Sequence, residues 1–193
     1  MWLLPAFAAS SDIWPEIESI VAVAPLRHMQ TQRGFSMSVG MTNCGNVGWV
    51  SDRRGYRYSP IDPQSGQPWP KMPALLATLA TNAASHAGFP DFKPDVCLIN
   101  QYKPGAQMGA HQDRNERSFD HPIVSVSLGL SARFFVQGET KGGKSIPVDV
   151  HDGDVIVFGG AARRCYHGVR KLKPGTHPLF GEARWNLTFR VAL

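Results

Sequence analysis

Residues 184–190 read RWNLTFR. As a strand, this stretch puts Arg184, Asn186, Thr188 and Arg190 on one face and Trp185, Leu187, Phe189 and then Val191 on the other. Two readings are open. The polar face can be a solvent face, which commonly carries Arg, Asn and Thr. It can also be a recognition face, because a guanidinium makes paired hydrogen bonds to a carboxylate and two arginines suit a dicarboxylate. A second stretch has the same asymmetry. In PIVSVSLGL (122–130), Ser125, Ser127 and Gly129 are small on one face, while Val124, Val126, Leu128 and Leu130 fill the other. Small side chains leave room for a ligand inside a narrow sandwich. Asn100 and Tyr102 share a face of VCLINQY (96–102) and add polar groups.

The other segments after Gly88 have the same character. ARFFVQG (132–138), SIPVDV (145–150) and DVIVFGG (154–160) are strand-like and punctuated by Gly, Pro and Asp. That spacing predicts a β-sandwich or barrel. Upstream, PEIESIVAVAPLR (15–27) predicts a short helix with Pro in its first turn. MPALLATLATNAASHA (72–87) predicts a longer one, with Leu75, Leu76 and Leu79 as its apolar face and Gly88 as its stop. Between Gln30 and Pro73, Gly, Pro, Asn, Ser, Arg and aromatics alternate, as in short strands joined by turns.

The chain has 193 residues, 42% of them hydrophobic and 18% charged, which is ordinary for one globular domain with a real core. No apolar run approaches the ~18 residues of a membrane span, so no membrane partner is expected. The start, MWLLPAFAASSDIWPE, lacks a basic n-region and is broken by Pro5, which does not fit a signal peptide. Cys44, Cys97 and Cys165 are odd in number, with no CxxC, and read as reduced thiols of a cytoplasmic protein. The net charge of +5 permits an anionic partner without demanding one. No segment reads as an oligomerisation surface, so a monomer is the default.

Within NQYKPGAQMGAHQDRNE (100–116), a Gly-rich turn leads to His111 and Asp113. At i and i+2 these reach one point, and an imidazole–carboxylate pair suits a transition metal. Chance surface pairs of this kind are common, so a third ligand is needed. His167, in CYHGV after the strand DVIVFGG, is the candidate. Two histidines and one carboxylate form a facial set that leaves about three positions for a bidentate cosubstrate and dioxygen on Fe(II). His28, His86, His121, His151 and His177 read as ordinary surface or packing residues.

Together NQYKPG, HQD, IVSVSLG, DGDVIVFGG, YHG and RWNLTFR resemble the AlkB family of Fe(II)- and 2-oxoglutarate-dependent dioxygenases, most of all its bacterial alkylation-repair members. The resemblance extends upstream through SMSVGMTNCGNVGW, GYRYSPIDP and PWP, covering roughly Met29 to Arg190. It implies a mainly β fold with α elements: a double-stranded β-helix, or jelly roll, over 94–193, and N-terminal helices with a nucleotide-recognition lid over 29–73. It implies that His111, Asp113 and His167 are iron ligands. Asn100, Tyr102, Arg184, Asn186 and Arg190 match the residues that hold 2-oxoglutarate, with the order of the two arginines left open. Trp49 matches an aromatic that stacks on the damaged base, and Tyr56, Arg57 and Tyr58 match a segment that contacts the nucleotide.

Three positions depart from the family pattern: Asn115 replaces an Asp that reads the base edge, Lys141 replaces an Arg on a hairpin, and Phe158 replaces a Trp. The implied reaction removes N-methyl groups from 1-methyladenine and 3-methylcytosine in single- or double-stranded DNA. It consumes O2 and 2-oxoglutarate and releases formaldehyde, succinate and CO2. A 2-oxoglutarate oxygenase acting on modified RNA, or a catalytically silent nucleic-acid-binding relative, are the alternatives.

Overall fold

The computed structural model describes residues 1–193. In chain order its elements are β1 (Trp2–Leu4), α1 (Ser10–Val23), β2 (Arg27–Gln30), β3 (Ser36–Gly45), β4 (Gly48–Asp52), β5 (Gly55–Ser59), α2 (Ala74–His86), β6 (Val96–Tyr102), β7 (Met108–His111), β8 (Ile123–Gly129), β9 (Ala132–Val136), β10 (Ile146–Val150), β11 (Val155–Phe158), β12 (His167–Val169) and β13 (Arg184–Arg190). A seven-stranded sheet runs β1-β11-β8-β13-β6-β3-β2, and a four-stranded sheet runs β10-β9-β12-β7. Their pairings are antiparallel. The fold is the jelly roll, with helices on one side. No helix is long and apolar enough to cross a membrane.

The alternation read in β13 sorts the two sides of the large sheet. Trp185, Leu187 and Phe189 join Val124, Val126 and Leu128 of β8 in a core with Ile13, Ile17 and Ile20 of α1 and Leu76, Ala80 and Ala83 of α2. The opposite face of β13 turns inward, toward the small sheet. Arg184, Asn186, Thr188 and Arg190 are all buried there, so the solvent-face reading is excluded. A second core, including Phe134 and Val169 of the small sheet and Tyr102, Ile156 and Phe158 of the large one, surrounds this polar row.

The helices differ in detail from the sequence expectation. α1 begins at Ser10, five residues before Pro15, so Pro15 lies inside the helix. Pro15 is exposed, so the carbonyl of Ser11, deprived of its usual donor, is left to water rather than buried. α2 buries Leu76, Ala80, Ala83 and Ala84, whereas Leu75 is exposed; alanines let the helix sit close to the sheet. Gly88, at φ +88°, ends it as expected. Within 29–73, β3 is a member of the large sheet, and only β4 and β5 form a separate two-stranded ribbon.

Gly168 follows His167 in β12, which lies between β9 and β7. A Cβ added there would lie 2.5 Å from the Met108 carbonyl oxygen and 2.7 Å from Phe135 Cζ. Gly168→Ala is expected to cost about 1–3 kcal/mol by overpacking, read as a drop in Tm of roughly 3–10 °C. Gly138→Ala, with nothing within 4 Å of the added atom, serves as the control. Equal melting temperatures for the two variants would contradict the packing described.

Candidate active site

His111 ends β7 and His167 begins β12, and the two residues are register partners. Asp113 lies two residues beyond β7, in the loop that leads to β8. It is thus not on a strand as the i, i+2 argument assumed; the turn of the loop brings it to the same point. The ligand atoms of the three side chains lie within 4.8 Å of one another. His111 Nε2 is 3.7 Å from Asp113 Oδ1, and His167 Nε2 is 3.6 Å from Asp113 Oδ2. Each imidazole uses its other nitrogen on a main-chain carbonyl: His111 Nδ1 on Gly109 at 2.9 Å and His167 Nδ1 on Cys165 at 3.1 Å. A carbonyl only accepts, so Nδ1 carries a proton in each ring and Nε2 is the nitrogen turned to the cluster. Desolvation, and then the neighbouring His167, push His111 below the usual histidine range. Burial alone would raise the Asp113 carboxyl. Arg190, then His167 and His111, overcome that and hold it well below the usual carboxylate range. A neutral His111 imidazole and an ionised Asp113 carboxylate are protonation states that suit a divalent metal.

A cavity, partly open to solvent, runs from this cluster along the inner face of β13. Arg184 and Tyr102 wall its far end, and Asn100, Asn186, Ser125 and Thr188 lie between. Arg184 donates from Nη2 to Ser127 Oγ at 2.9 Å, but its Nε and Nη1 are buried with no hydrogen-bond partner. Its guanidinium carbon lies 5.0 Å from the centre of the Tyr102 ring. Burial lowers the Arg184 pKa and raises that of Tyr102; an arginine nonetheless stays charged. A buried cation with two unpartnered nitrogens fits a carboxylate. Asn100 Oδ1 is also buried without a partner. Asn186 is already engaged, donating to Ser125 Oγ and the Val126 carbonyl, both at 2.9 Å. The residues present therefore fit a metal with a dicarboxylate beside it.

Arg190 lies at the metal end of the same strand. Its Nη2 is 2.9 Å from Asp113 Oδ2 and its Nη1 is 3.1 Å from Glu116 Oε1. Burial alone would lower its pKa; Asp113, Tyr58 and Glu116 raise it instead.

A second cavity, open to solvent, adjoins the first and shares Leu98, Met108, His111, Asp113 and Arg190 with it. Its outer wall carries Trp49 and Tyr56, stacked with ring centres 5.5 Å apart and planes 13° from parallel. Trp49 is held on two sides. Its indole N–H donates to Asn115 Oδ1 at 3.2 Å, and its main chain is clamped by the side chain of buried Asn43 at 3.0 and 3.1 Å.

The remaining sequence candidates are dispersed. Arg57 grips Asp52 through two bonds of 2.9 and 2.8 Å. Those bonds, helped by the Arg54 main-chain N–H, bring Asp52 down to about 2. Tyr58 lines neither cavity; its hydroxyl donates to Glu116 Oε1 at 2.6 Å and accepts from Arg190 Nη1 at 3.0 Å. Lys141 is exposed on the connection between β9 and β10 and lines neither cavity. That connection projects from the His167 end of β9, since Val136 pairs with His167. Sequence reasoning missed Asn43, Glu116 and Arg163. Glu116 stands within HQDRNE but outside any ligand pattern, and nothing distinguishes Arg163 from exposed Arg164 beside it.

The model of the 2OG-Fe(II) oxygenase superfamily matches residues 1–190. The alpha-ketoglutarate-dependent dioxygenase AlkB of Escherichia coli is 49% identical over 187 residues, which are 97% of this chain and 87% of that one. A DNA N(6)-methyladenine demethylase of Arabidopsis thaliana, ALKBH1C, is 31% identical over 76% of this chain and 38% of its own length. Among solved structures, that of OsALKBH1 superposes with a TM-score of 0.85 at 28% identity, covering 98% of this chain and 96% of the other. The chain belongs to the AlkB family within the 2OG-Fe(II) oxygenase superfamily and is an Fe(II)-dependent dioxygenase that uses 2-oxoglutarate and O2 as cosubstrates.

Proposed function

We propose that this dioxygenase removes N-methyl groups from alkylated bases in DNA, with 1-methyladenine and 3-methylcytosine as substrates, in the repair of alkylation damage. The observation that carries this reading is the contiguity of the two cavities: the aromatic pocket and the dicarboxylate cavity share His111 and Asp113. A base held in the outer one would present its edge to the metal. His111, Asp113 and His167 would hold the iron. Arg184, with Tyr102 and Asn100, would take the far carboxylate of 2-oxoglutarate, since its Nε and Nη1 have no partner in the protein. Arg190, beside Asp113, would face the end nearer the metal, and Asn186 shapes the wall between. Iron with 2-oxoglutarate and O2 supplies the oxidation of the methyl group, which leaves as formaldehyde.

The chain's own residues then bind and orient the base. Residues 29–73 act as the nucleotide-recognition lid and 94–193 as the catalytic core of a single domain. Both target lesions lie on the Watson–Crick edge, so the base must leave the helix, at a cost of a few kcal/mol. Stacking on an aromatic side chain returns about 1–3 kcal/mol per base, and Trp49, fixed by Asn43 and Asn115, is ready to provide it. Tyr56 closes the same wall. Asn115 offers an amide where the family pattern has a carboxylate, so the base edge meets a donor as well as an acceptor. Arg53 and Arg54 are exposed on the turn between β4 and β5 and can meet phosphates. Arg57 shapes that turn through Asp52, Tyr58 fastens it to the core, and Lys141 adds positive charge from the β9–β10 connection. The chain acts as a monomer in a cytoplasmic setting, which its three free thiols suit.

Purified protein with Fe(II), 2-oxoglutarate and O2 is expected to release formaldehyde from single-stranded DNA carrying one 1-methyladenine or 3-methylcytosine. Succinate production without formaldehyde on these oligonucleotides, but with it on matched RNA, would move the substrate to RNA. No formaldehyde on either would reject base demethylation. Trp49→Ala is expected to raise KM for the oligonucleotide about tenfold or more, as the loss of a 1–3 kcal/mol stack implies, and to leave succinate production without DNA unchanged. Equal losses in both assays would contradict the stacking role.

A further inference from the structure

The residues so far assigned leave a second buried cluster unused. Arg163 follows a short 3-10 turn (Gly160–Ala162) and is buried. Its guanidinium reaches three parts of one loop, residues 112–122. Nη1 donates to the main-chain carbonyl of Asp113 at 3.0 Å, Nε to the carbonyl of His121 at 3.1 Å, and Nη2 pairs with Glu116 Oε2 at 3.2 Å. One side chain thus fixes the start, middle and end of the loop that carries Asp113. Glu116 is itself fully buried at its side chain. Its other oxygen accepts from Tyr58 of β5 and from Arg190 Nη1 of β13.

We infer that Arg163 and Glu116 are positioning residues for the metal centre, and that their ion pair sets metal affinity by fixing Asp113 and turning Arg190. This rests on the reading of Asp113 as an iron ligand. Arg190 and a metal compete for one carboxylate. Arg190 already touches Asp113 Oδ2 through Nη2. Glu116 draws Nη1 of the same guanidinium away, so Arg190 meets Asp113 with one nitrogen and not as a fork. If Glu116 loses its charge, Arg190 has Asp113 as its remaining anionic partner and pairs with it more strongly, at the expense of a metal. If Arg163 loses its planar fork, the Asp113 carbonyl and the His121 carbonyl are left without that donor and the loop is free to shift. A lysine keeps the charge but cannot serve three acceptors in that plane.

The test uses Mn(II), which binds without turnover. Its affinity for the full chain is measured by the electron paramagnetic resonance signal of free Mn(II), at a temperature where circular dichroism shows each variant folded. Arg163→Lys and Glu116→Gln are each expected to bind about tenfold or more weakly, in the range typical for partners behind metal ligands. Arg164→Lys, on the exposed side, keeps wild-type affinity. If one of the two buried variants fails to fold, the other carries the test. Asp113→Asn separates the two claims. Binding as tight as wild type in Asp113→Asn would reject the ligand assignment. Loss of binding in Asp113→Asn, with less than about a threefold change in the folded buried variants, would overturn the positioning role alone.

Discussion

The structure depends on one constraint: two guanidinium groups are buried on the inner face of a central strand. Arg184 and Arg190 sit six residues apart on β13, both shielded from water. A buried charge is costly unless it is paired and hydrogen-bonded. Arg190 is largely paired within the protein, by Asp113, Glu116 and Tyr58, with only its Nε left without a partner. Arg184 is not; two of its nitrogens have no partner. One arginine is thus part of the architecture, and the other is an open demand for an anion. That difference gives the cavity a direction, with ion-paired side chains at the Asp113 end and an unfilled cationic end at Tyr102.

The antiparallel registers carry this asymmetry into the site. Asn186 lies opposite Asn100 on β6 and Ser127 on β8. Polar groups from three neighbouring strands are thereby stacked in one layer. His167 lies opposite His111 across the small sheet. The large sheet therefore supplies the wall with the buried arginines, the small sheet supplies the imidazoles, and the loop after β7 brings the carboxylate between them. Tyr58 and Asn43 then fasten the aromatic ribbon to this frame, which keeps Trp49 on the outer wall of the second cavity.

Much of this was legible in the sequence because strand alternation is a strict local rule. It sorted β13 into its two faces before any fold was known, and it identified the small face of β8. What it could not decide was whether the polar face of β13 met water or an interior, since that depends on a second sheet formed by distant residues. The same limit explains the errors. Leu75, Leu76 and Leu79 looked like the buried stripe of α2, but alanines on an adjacent arc allowed closer packing and left Leu75 outside. Pro15 looked like a helix start, but its exposed position tolerated it within the helix. Arg163 and Glu116 carried no local signal at all. Their importance arises from three-way contacts between residues 42 to 74 apart in the chain, which spacing does not encode. Tyr58 likewise read as a surface contact residue, and burial turned its hydroxyl to the core.

The most direct test of the central claim is a crystal structure of the protein with Mn(II) and 2-oxoglutarate. The account predicts one metal ion held by His111, Asp113 and His167, with the far carboxylate of the cosubstrate filling the free Nε and Nη1 of Arg184. A metal bound by other residues, or a cosubstrate that leaves Arg184 unpaired, would contradict it.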